Sequence, residues 1–357
     1  MLAAARDAAA QAWPAFVLVT GLLLVGLAAG EDRVFASLAR RLGALGLGAR
    51  AQYACALALI AVVTALLNLD TAVVFLTPLL VQLARLTGGD ETPYLYATVF
   101  MANASSLFLP GSNLTNLLVL AREHVPGGVY AGRILPAALA ASVVTALGLL
   151  VAYRRRIAVR RPAERVEAAV TERPGAVGMV AAAVAATLTV VLPSPALPVL
   201  AVGVVAVAIH VRAGRLGLRR LSRALSPRVT AGLFLLSVAL GTLARQWDGP
   251  SSLIASAGRW GTTAIGALGA VSLNNLPASV LLSSGPVAHP RALLVGLNLG
   301  PNLAVTGSLS AFLWFQAARE AGASPSARAF SRLGIPLALL AAVASVAALS
   351  VSLPQWL

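Results

Sequence analysis

Apolar runs recur along the chain at 13–29, 134–153, 177–192, 229–243 and 335–353, each near the length at which a helix crosses a bilayer. Between them lie apolar segments broken by Asn, Asp, Ser, Gly and Pro. In the first half the breaks read LLNLDTAVVFLTP (66–78) and LPGSNLTN (109–116); in the second, VSLNNLPASVLL (271–282) and NLGPNLAVTGSLS (298–310). A soluble core has no reason to place helix-breaking polar residues at matching depths of matched apolar stretches. A transporter does, because unwound backbone at membrane depth is tolerated only where it lines a protein-enclosed cavity, and paired interruptions mark the binding site.

The pattern predicts an all-α polytopic membrane protein built as an inverted repeat, with two re-entrant hairpins and two broken transmembrane helices. The first repeat, 1–153, holds a helix, a hairpin at 50–87 with its tip at Asn68 to Thr71, a broken helix at 93–122 interrupted at Pro110 to Asn113, and a helix at 133–153. A basic linker, 154–176, reads as a cytoplasmic surface helix or coil. The second repeat, 177–357, has two extra helices, then a helix at 229–245, a hairpin at 260–288 with its tip at Asn274 to Pro277, a broken helix at 291–318 and a helix at 332–353. The first repeat thus lacks two amino-terminal helices. Pro136 and Pro336 are expected in an early helical turn, where a missing amide costs least.

Composition agrees with the membrane reading: 59% of residues are hydrophobic, 11% are charged, and mean hydropathy is +0.85. The net charge of +15 could suggest nucleic acid, but its distribution argues otherwise. No lysine occurs, and the 27 basic residues are all Arg, gathered in short loops. Twenty-one fall at 33–85, 154–173, 212–228 and 319–332; the other side receives only Arg6, Arg122, Arg133, Arg245, Arg259 and Arg291. That division follows the positive-inside rule only if both hairpins return to their starting side. It puts the amino terminus outside a bacterial cytoplasmic (inner) membrane, with membrane lipid as a partner, no nucleic acid, and hairpins entering from opposite faces. The amino terminus does not read as a cleaved signal peptide.

Asp70 is the sharpest residue, the only carboxylate at a hairpin tip. A membrane-embedded acid is costly and a functional hypothesis by default; here it suits a proton carrier. It equally suits an N-cap for the return helix, capping Val73 or Val74, and the two roles are compatible. The candidate solute site joins Asn68, Thr71, Ser112, Asn113, Thr115, Asn274, Asn275, Asn298, Asn302, Thr306, Gly307 and Ser308. Half-helix amino termini there would aim free amides at the midplane. Such a site suits a small polyhydroxy or oxyanionic solute, although any one of these residues could serve only to satisfy broken backbone.

Other chemistry finds little support. One cysteine, Cys55, allows no intramolecular disulfide and no multi-thiolate metal site, and reads as a small apolar filler. The glycosylation triplets at Asn103 and Asn113 fall in embedded segments. His124, His210 and His289 lie near membrane edges rather than as a ligand set. Without His-Glu-x-x-His, Gly-x-Ser-x-Gly or any lysine for a phosphate-binding loop, neither an enzyme nor a resident cofactor or metal is expected.

At its four breaks the chain resembles the bacterial arsenite efflux permeases, within the ion-transporter superfamily of sodium–dicarboxylate symporters. The resemblance rests on NLDTAVVFLTP (68–78), ASSLFLPGSNLTNLL (104–118), LNNLPASVL (273–281), NLGPNLAVTGSLSAFLWF (298–315) and the loop LAAGEDRVFASLARRLG (27–43). It implies proton-coupled efflux of arsenite or antimonite as the neutral trihydroxide. It equally admits a sodium- or proton-coupled oxyanion or dicarboxylate transporter. It leaves room for a separate ATPase subunit driving the chain as a channel, and for a homodimer. Two departures stand out: the missing amino-terminal spans, which leave the subunit arrangement open, and a charge pair, since the family pattern leads one to expect an Asp at Asn298 and a Lys at Asn302. An opposite-charge pair is replaced by two amides, so either any proton coupling falls to Asp70 alone or the substrate differs.

Overall fold

The computed structural model describes residues 1–121, 123, 125–158, 174–247 and 249–351, so most of the basic linker lies outside the described residues. Helix α1 (Leu2–Glu31) starts well before the apolar run at 13, because the preceding stretch is alanine-rich and alanine is the best helix former. The amphipathic α2 (Val34–Ala44) turns Phe35 and Leu42 inward. Helices α3 (Ala49–Leu66) and α4 (Leu69–Leu86) form the first hairpin. The first interrupted helix is α5 (Glu91–Ser105), a 3-10 turn at Pro110–Ser112, and α6 (Leu114–Leu120). Then come α7 (Gly127–Ala152) and the short α8 (Arg154–Ala158).

The second half opens with α9 (Ala176–Val191) and α10 (Ala196–Arg212), followed by α11 (Leu218–Leu225), α12 (Pro227–Ala244) and α13 (Gly249–Ala255). Its hairpin is α14 (Arg259–Leu273) and α15 (Asn275–Leu282). The second interrupted helix is α16 (Pro290–Leu299), 3-10 turns at Gly300–Asn302 and Val305–Gly307, and α17 (Leu309–Glu320); α18 (Ala327–Val351) follows. Among the described residues six helical stretches, α11–α12 counted as one, are long and apolar enough to cross a membrane, and α9 and α10 are shorter apolar helices.

Pro136 and Pro336 are not in first turns. Both helices begin earlier than the apolar pattern indicates, leaving the prolines inside α7 and α18. Neither Gly132 nor Arg332 can receive the usual amide from the proline four residues on, which bends a helix at that point. These two helices pack along one another, and Ser345 Oγ donates to the carbonyl of Ala137 at 3.0 Å.

Hydrogen bonds fix where the hairpins begin and end. Tyr53 Oη, one turn into α3, donates to the Pro93 carbonyl at the head of α5, so the start of α3 and the end of α4 lie together. Arg85 closes that end, pairing with Glu91 and donating to the carbonyls of Ala321 and Gly322 at the foot of α17. Arg156 joins it through Asp90 at 3.2 Å. In the other hairpin, Thr263 Oγ1 on α14 donates to the Ala292 carbonyl at the head of α16. Arg133, Arg259 and Arg291 interact electrostatically there. Arg133 lies in the second turn of α7 and Arg156 in α8 just beyond its other end, so the two hairpins have their open ends on opposite sides of the molecule.

Helix α1 is held against α9 and α10 by close backbone contact. A β-carbon on Gly21 would fall 2.7 Å from the Leu200 amide nitrogen, and one on Gly178 2.5 Å from Ala29 Cα. At the end of this seam Asp32 is buried, and its Oδ2 accepts from the Gly178 amide at 2.6 Å, capping α9 from another helix. Asp32 Oδ1 faces His210 Nε2 at 2.9 Å, while His210 Nδ1 lies 2.8 Å from the Ala206 carbonyl. A carbonyl only accepts, so Nδ1 carries a hydrogen and the second contact also needs one. His210 thus bridges the Ala206 carbonyl and the Asp32 carboxylate, with Arg215 at 3.7 Å from the carboxylate.

Asp32→Ala should strand both His210 and the Gly178 amide, at a cost of about 3–5 kcal/mol, the range for breaking a buried pair. Thermal unfolding in detergent should show a midpoint several degrees lower; an unchanged midpoint would remove the cluster from the list of stabilising contacts.

Candidate functional site

The first hairpin tip is built on Asn68. Its extended backbone ends α3, and its Oδ1 accepts from the Thr71 amide at 2.7 Å, making it the N-cap of α4. Asp70, in the first turn, is therefore not the cap. Its Oδ1 instead accepts from Ser310 Oγ at 2.5 Å, in the first turn of α17 on the other half of the chain. Thr71 packs against α1, where a β-carbon on Gly26 would lie 2.6 Å from Thr71 Cγ2. Thr64 Oγ1, Asn68 Nδ2 and Thr71 Oγ1 are buried without hydrogen-bond partners. Three unsatisfied buried polar atoms within eight residues are costly.

At the first break, Ser112 Oγ donates to the Ala65 carbonyl at 3.0 Å, tying the break to the hairpin tip. Asn113 caps α6, its Oδ1 accepting from the Thr115 amide at 3.1 Å. Its Nδ2 donates at 2.8 Å to Asn298 Oδ1 on α16, which also accepts from Ser106 Oγ at 2.5 Å. Asn298 Nδ2 donates to Asn116 Oδ1 at 2.7 Å and to the Leu294 carbonyl at 2.8 Å. Both donors and both acceptor positions of the Asn298 amide are filled. Four residues on, Asn302 Oδ1 accepts from Asn103 Nδ2 at 2.7 Å.

The orientation of Asn298 follows from its partners. Asn116 Nδ2 donates to the carbonyls of Ser106 and Leu109, so Asn116 Oδ1 must face Asn298. That oxygen and the Leu294 carbonyl both require a donor. An ionised carboxylate at 298 would set an oxygen against two acceptors; an amide does not. The amides at Asn298 and Asn302 thus belong to a self-consistent neutral network joining α5, α6 and α16.

In the second hairpin Asn274 takes φ +79° and caps α15, its Oδ1 lying 3.4 Å from the Leu276 amide. Its Nδ2 donates to the Thr306 carbonyl at 3.1 Å, joining tip and break as Ser112 does in the first half. Asn275 is buried at the head of α15, whereas the Thr306 side chain is exposed. Gly307 passes so close to Pro301 that a β-carbon would lie 2.6 Å from Pro301 Cα. Ser308 caps α17 through Ala311, at 3.3 Å.

These contacts close a ring: first tip to first break, first break to α16, second break to second tip, and second break back to the first tip through Asp70. Four helix amino termini, of α4, α6, α15 and α17, begin on it. Among the described residues no three His, Cys, Asp or Glu side chains gather as a metal-ligand set. The ring offers hydroxyls, amides and the one carboxyl group of Asp70. Cys55 is not a core filler; its side chain is exposed on α3.

The sequence reading missed Asn103, Ser106, Asn116 and Ser310. Each is a buried polar residue close to a break, and that combination was the available signal. Asn298→Leu should orphan Asn113 Nδ2 and Asn116 Oδ1, costing at least about 2 kcal/mol at 1–3 per unsatisfied group. The check is thermal unfolding of the purified variant; a midpoint equal to the parent's would make the network energetically idle.

Comparison with known proteins agrees with this architecture. The chain is 24% identical to the arsenical pump membrane protein of Escherichia coli K12, over 96% of this chain and 87% of that protein. It is 25% identical to its namesake from Yersinia enterocolitica, with the same coverage. The crystal structure of the Alcanivorax borkumensis YdaH transporter, described as having an unusual topology, superposes with a TM-score of 0.61 at 15% identity, over 94% of this chain and 84% of that one. A family model described as citrate transporter (CitMHS) matches residues 4–315. The chain therefore belongs to the citrate transporter (CitMHS) family, and is a multi-pass membrane transporter.

Proposed function

We propose that the chain is a proton-coupled exporter of trivalent arsenic or antimony, carried as the neutral trihydroxide, with Asp70 as the proton carrier. The observation that carries the reading is the position of Asp70. It is the only acid at the four breaks, and it bonds across the molecule to Ser310 instead of capping its own helix. The names of the arsenical pump relatives supply the solute class. The polar ring supplies the chemistry: hydroxyls and amides can hold a trihydroxide through hydrogen bonds, where a lone exposed cysteine cannot supply a trithiolate shell.

The reading includes two re-entrant hairpins in an inverted repeat, oriented with the amino terminus outside the bacterial inner membrane. The opposed open ends of the hairpins support it. So does the pairing of α4 with α17 beside that of α15 with α6, each hairpin's return helix packing on the other half's broken helix. Helix α15, with 8 residues, extends only about 12 Å. Alternating access would then move one half against the other around the ring.

A second reading, sodium- or proton-coupled transport of an oxyanion or dicarboxylate, is favoured by the family description. Against it, among the described residues no arginine joins the hydrogen bonds of the ring. Proteoliposomes holding this chain alone, with an imposed pH or sodium gradient, separate the readings when arsenite, antimonite, sulfate and succinate are compared. Arsenite flux driven by pH without an ATPase supports the exporter; flux of succinate but not arsenite overturns it.

Asp70→Asn keeps the shape and removes the titratable group. It should insert and bind solute but lose pH-driven accumulation in everted vesicles by at least tenfold, while Ser310→Ala retains it at a reduced rate. Equal accumulation by the Asn variant and the parent would dismiss Asp70 as carrier. Cys55→Ser should leave arsenite resistance within twofold of the parent in cells lacking their own pump, and complete loss at normal abundance would implicate the thiol.

A further inference from the structure

Away from the ring, at the open end of the second hairpin, lies a cavity of ≈ 290 Å³ lined by Arg259, His289, Arg291 and Leu349 among others. We infer that this cavity binds a phosphate-type oxyanion through the guanidinium groups of Arg259 and Arg291.

The first argument is a missing partner. Arg291 Nη1 is buried and has no hydrogen-bond partner. A buried donor left unsatisfied is expensive, and more so when it is charged. Arg291 also lines the cavity, and a guanidinium offers a planar fork of donors that matches phosphate geometry.

The second argument is charge. Arg291 interacts electrostatically with Arg133, Arg259 and Glu123, and Glu123 also interacts with Arg133. Among the described residues, three arginines stand against the one carboxylate of Glu123, so the cluster has room for added negative charge. All three belong to the six arginines on the lightly basic side of the sequence partition. Loop topology does not require cations to converge there, whereas an anion does.

The third argument is the backbone. Helix α16 begins at Pro290, and its N-cap, His289, makes no side-chain cap hydrogen bond. Helix α14 begins at Arg259 after Gly258, which has no side chain to cap with. Two helix amino termini of 10 and 15 residues therefore start at the cavity with first-turn amides that no cap side chain occupies, and such amides favour anions. Leu349 supplies an apolar wall, so the anion could be free phosphate or the headgroup of an anionic phospholipid whose chains lie along α18.

The test uses the purified full chain and reads binding rather than transport. Thermal unfolding is followed while inorganic phosphate is titrated against chloride at matched ionic strength, and in phosphatidylcholine nanodiscs with and without phosphatidylglycerol. The parent's midpoint should rise by several degrees with at least one of the two anions. A rise with both identifies free phosphate as sufficient, and a rise with phosphatidylglycerol alone identifies the lipid headgroup. Arg259→Gln and Arg291→Gln should each weaken the response at least tenfold in concentration or lipid fraction. If Arg291→Gln does not yield folded protein, Arg259→Gln and Arg291→Lys decide: the first should weaken binding tenfold, the second less. No shift beyond that of chloride, or variants responding as the parent does, would overturn the site.

Discussion

A helix broken inside an apolar environment must find new partners for the amides and carbonyls it frees, because neither lipid nor apolar packing supplies them. The rest of this structure depends on that constraint. Four helices restart at midchain breaks, and each restart has a polar cap: Asn68, Asn113, Asn274 and Ser308. The caps free the first turns for other work. Because Asn68 caps α4, Asp70 can reach Ser310; because Asn113 caps α6 with its oxygen, its nitrogen can reach Asn298. Asn113 thus satisfies its own helix and links it to the opposite half.

The links define the conformational problem. Asn298, filled on all four hydrogen-bonding positions, binds α16 to the first break, and Asn302 binds the second break to α5. A β-carbon on Gly334 would lie 1.8 Å from the Asn302 carbonyl, so α18 presses directly on this network. The Asn298 amide, with every position filled, has one good arrangement and resists gradual deformation, although Asn103 Oδ1 beside it has no hydrogen-bond partner. The first hairpin tip differs: Thr64, Asn68 and Thr71 retain unsatisfied atoms. Polar groups without protein partners are where a small hydrogen-bonding solute gains most, and where a structure has least to lose by rearranging.

Much of this arrangement was legible in the sequence, for a physical reason. Polar residues are so disfavoured in apolar helices that each break announced itself, and the repetition of two breaks per half set the order of elements. Boundaries were less legible. Pro136 and Pro336 lie inside helices because polar and glycine-containing turns before them, at 127–133 and 327–333, extend the helix beyond its apolar part. Cys55 faces outward because helical phase, not side-chain apolarity, decides which residues of a uniformly apolar helix are buried. The partner of Asp70 was beyond reach, since Ser310 is 240 positions away and only packing of α4 on α17 joins them.

The departure from charge at Asn298 and Asn302 and the placement of Asp70 belong to one argument. In the neutral network every donor at 298 faces an acceptor, so nothing there changes when pH changes. Asp70 is different in kind. When ionised, it receives a charge-assisted hydrogen bond from Ser310 that binds the first hairpin to α17, and such bonds are roughly twice as strong as neutral ones. Protonation removes that advantage and leaves a neutral contact between two halves otherwise locked through Asn298. In the proposed exchange the proton would act on the one cross-molecule contact of the ring whose strength depends on charge. The amide network, insensitive to the proton, would keep the frame against which the hairpin moves.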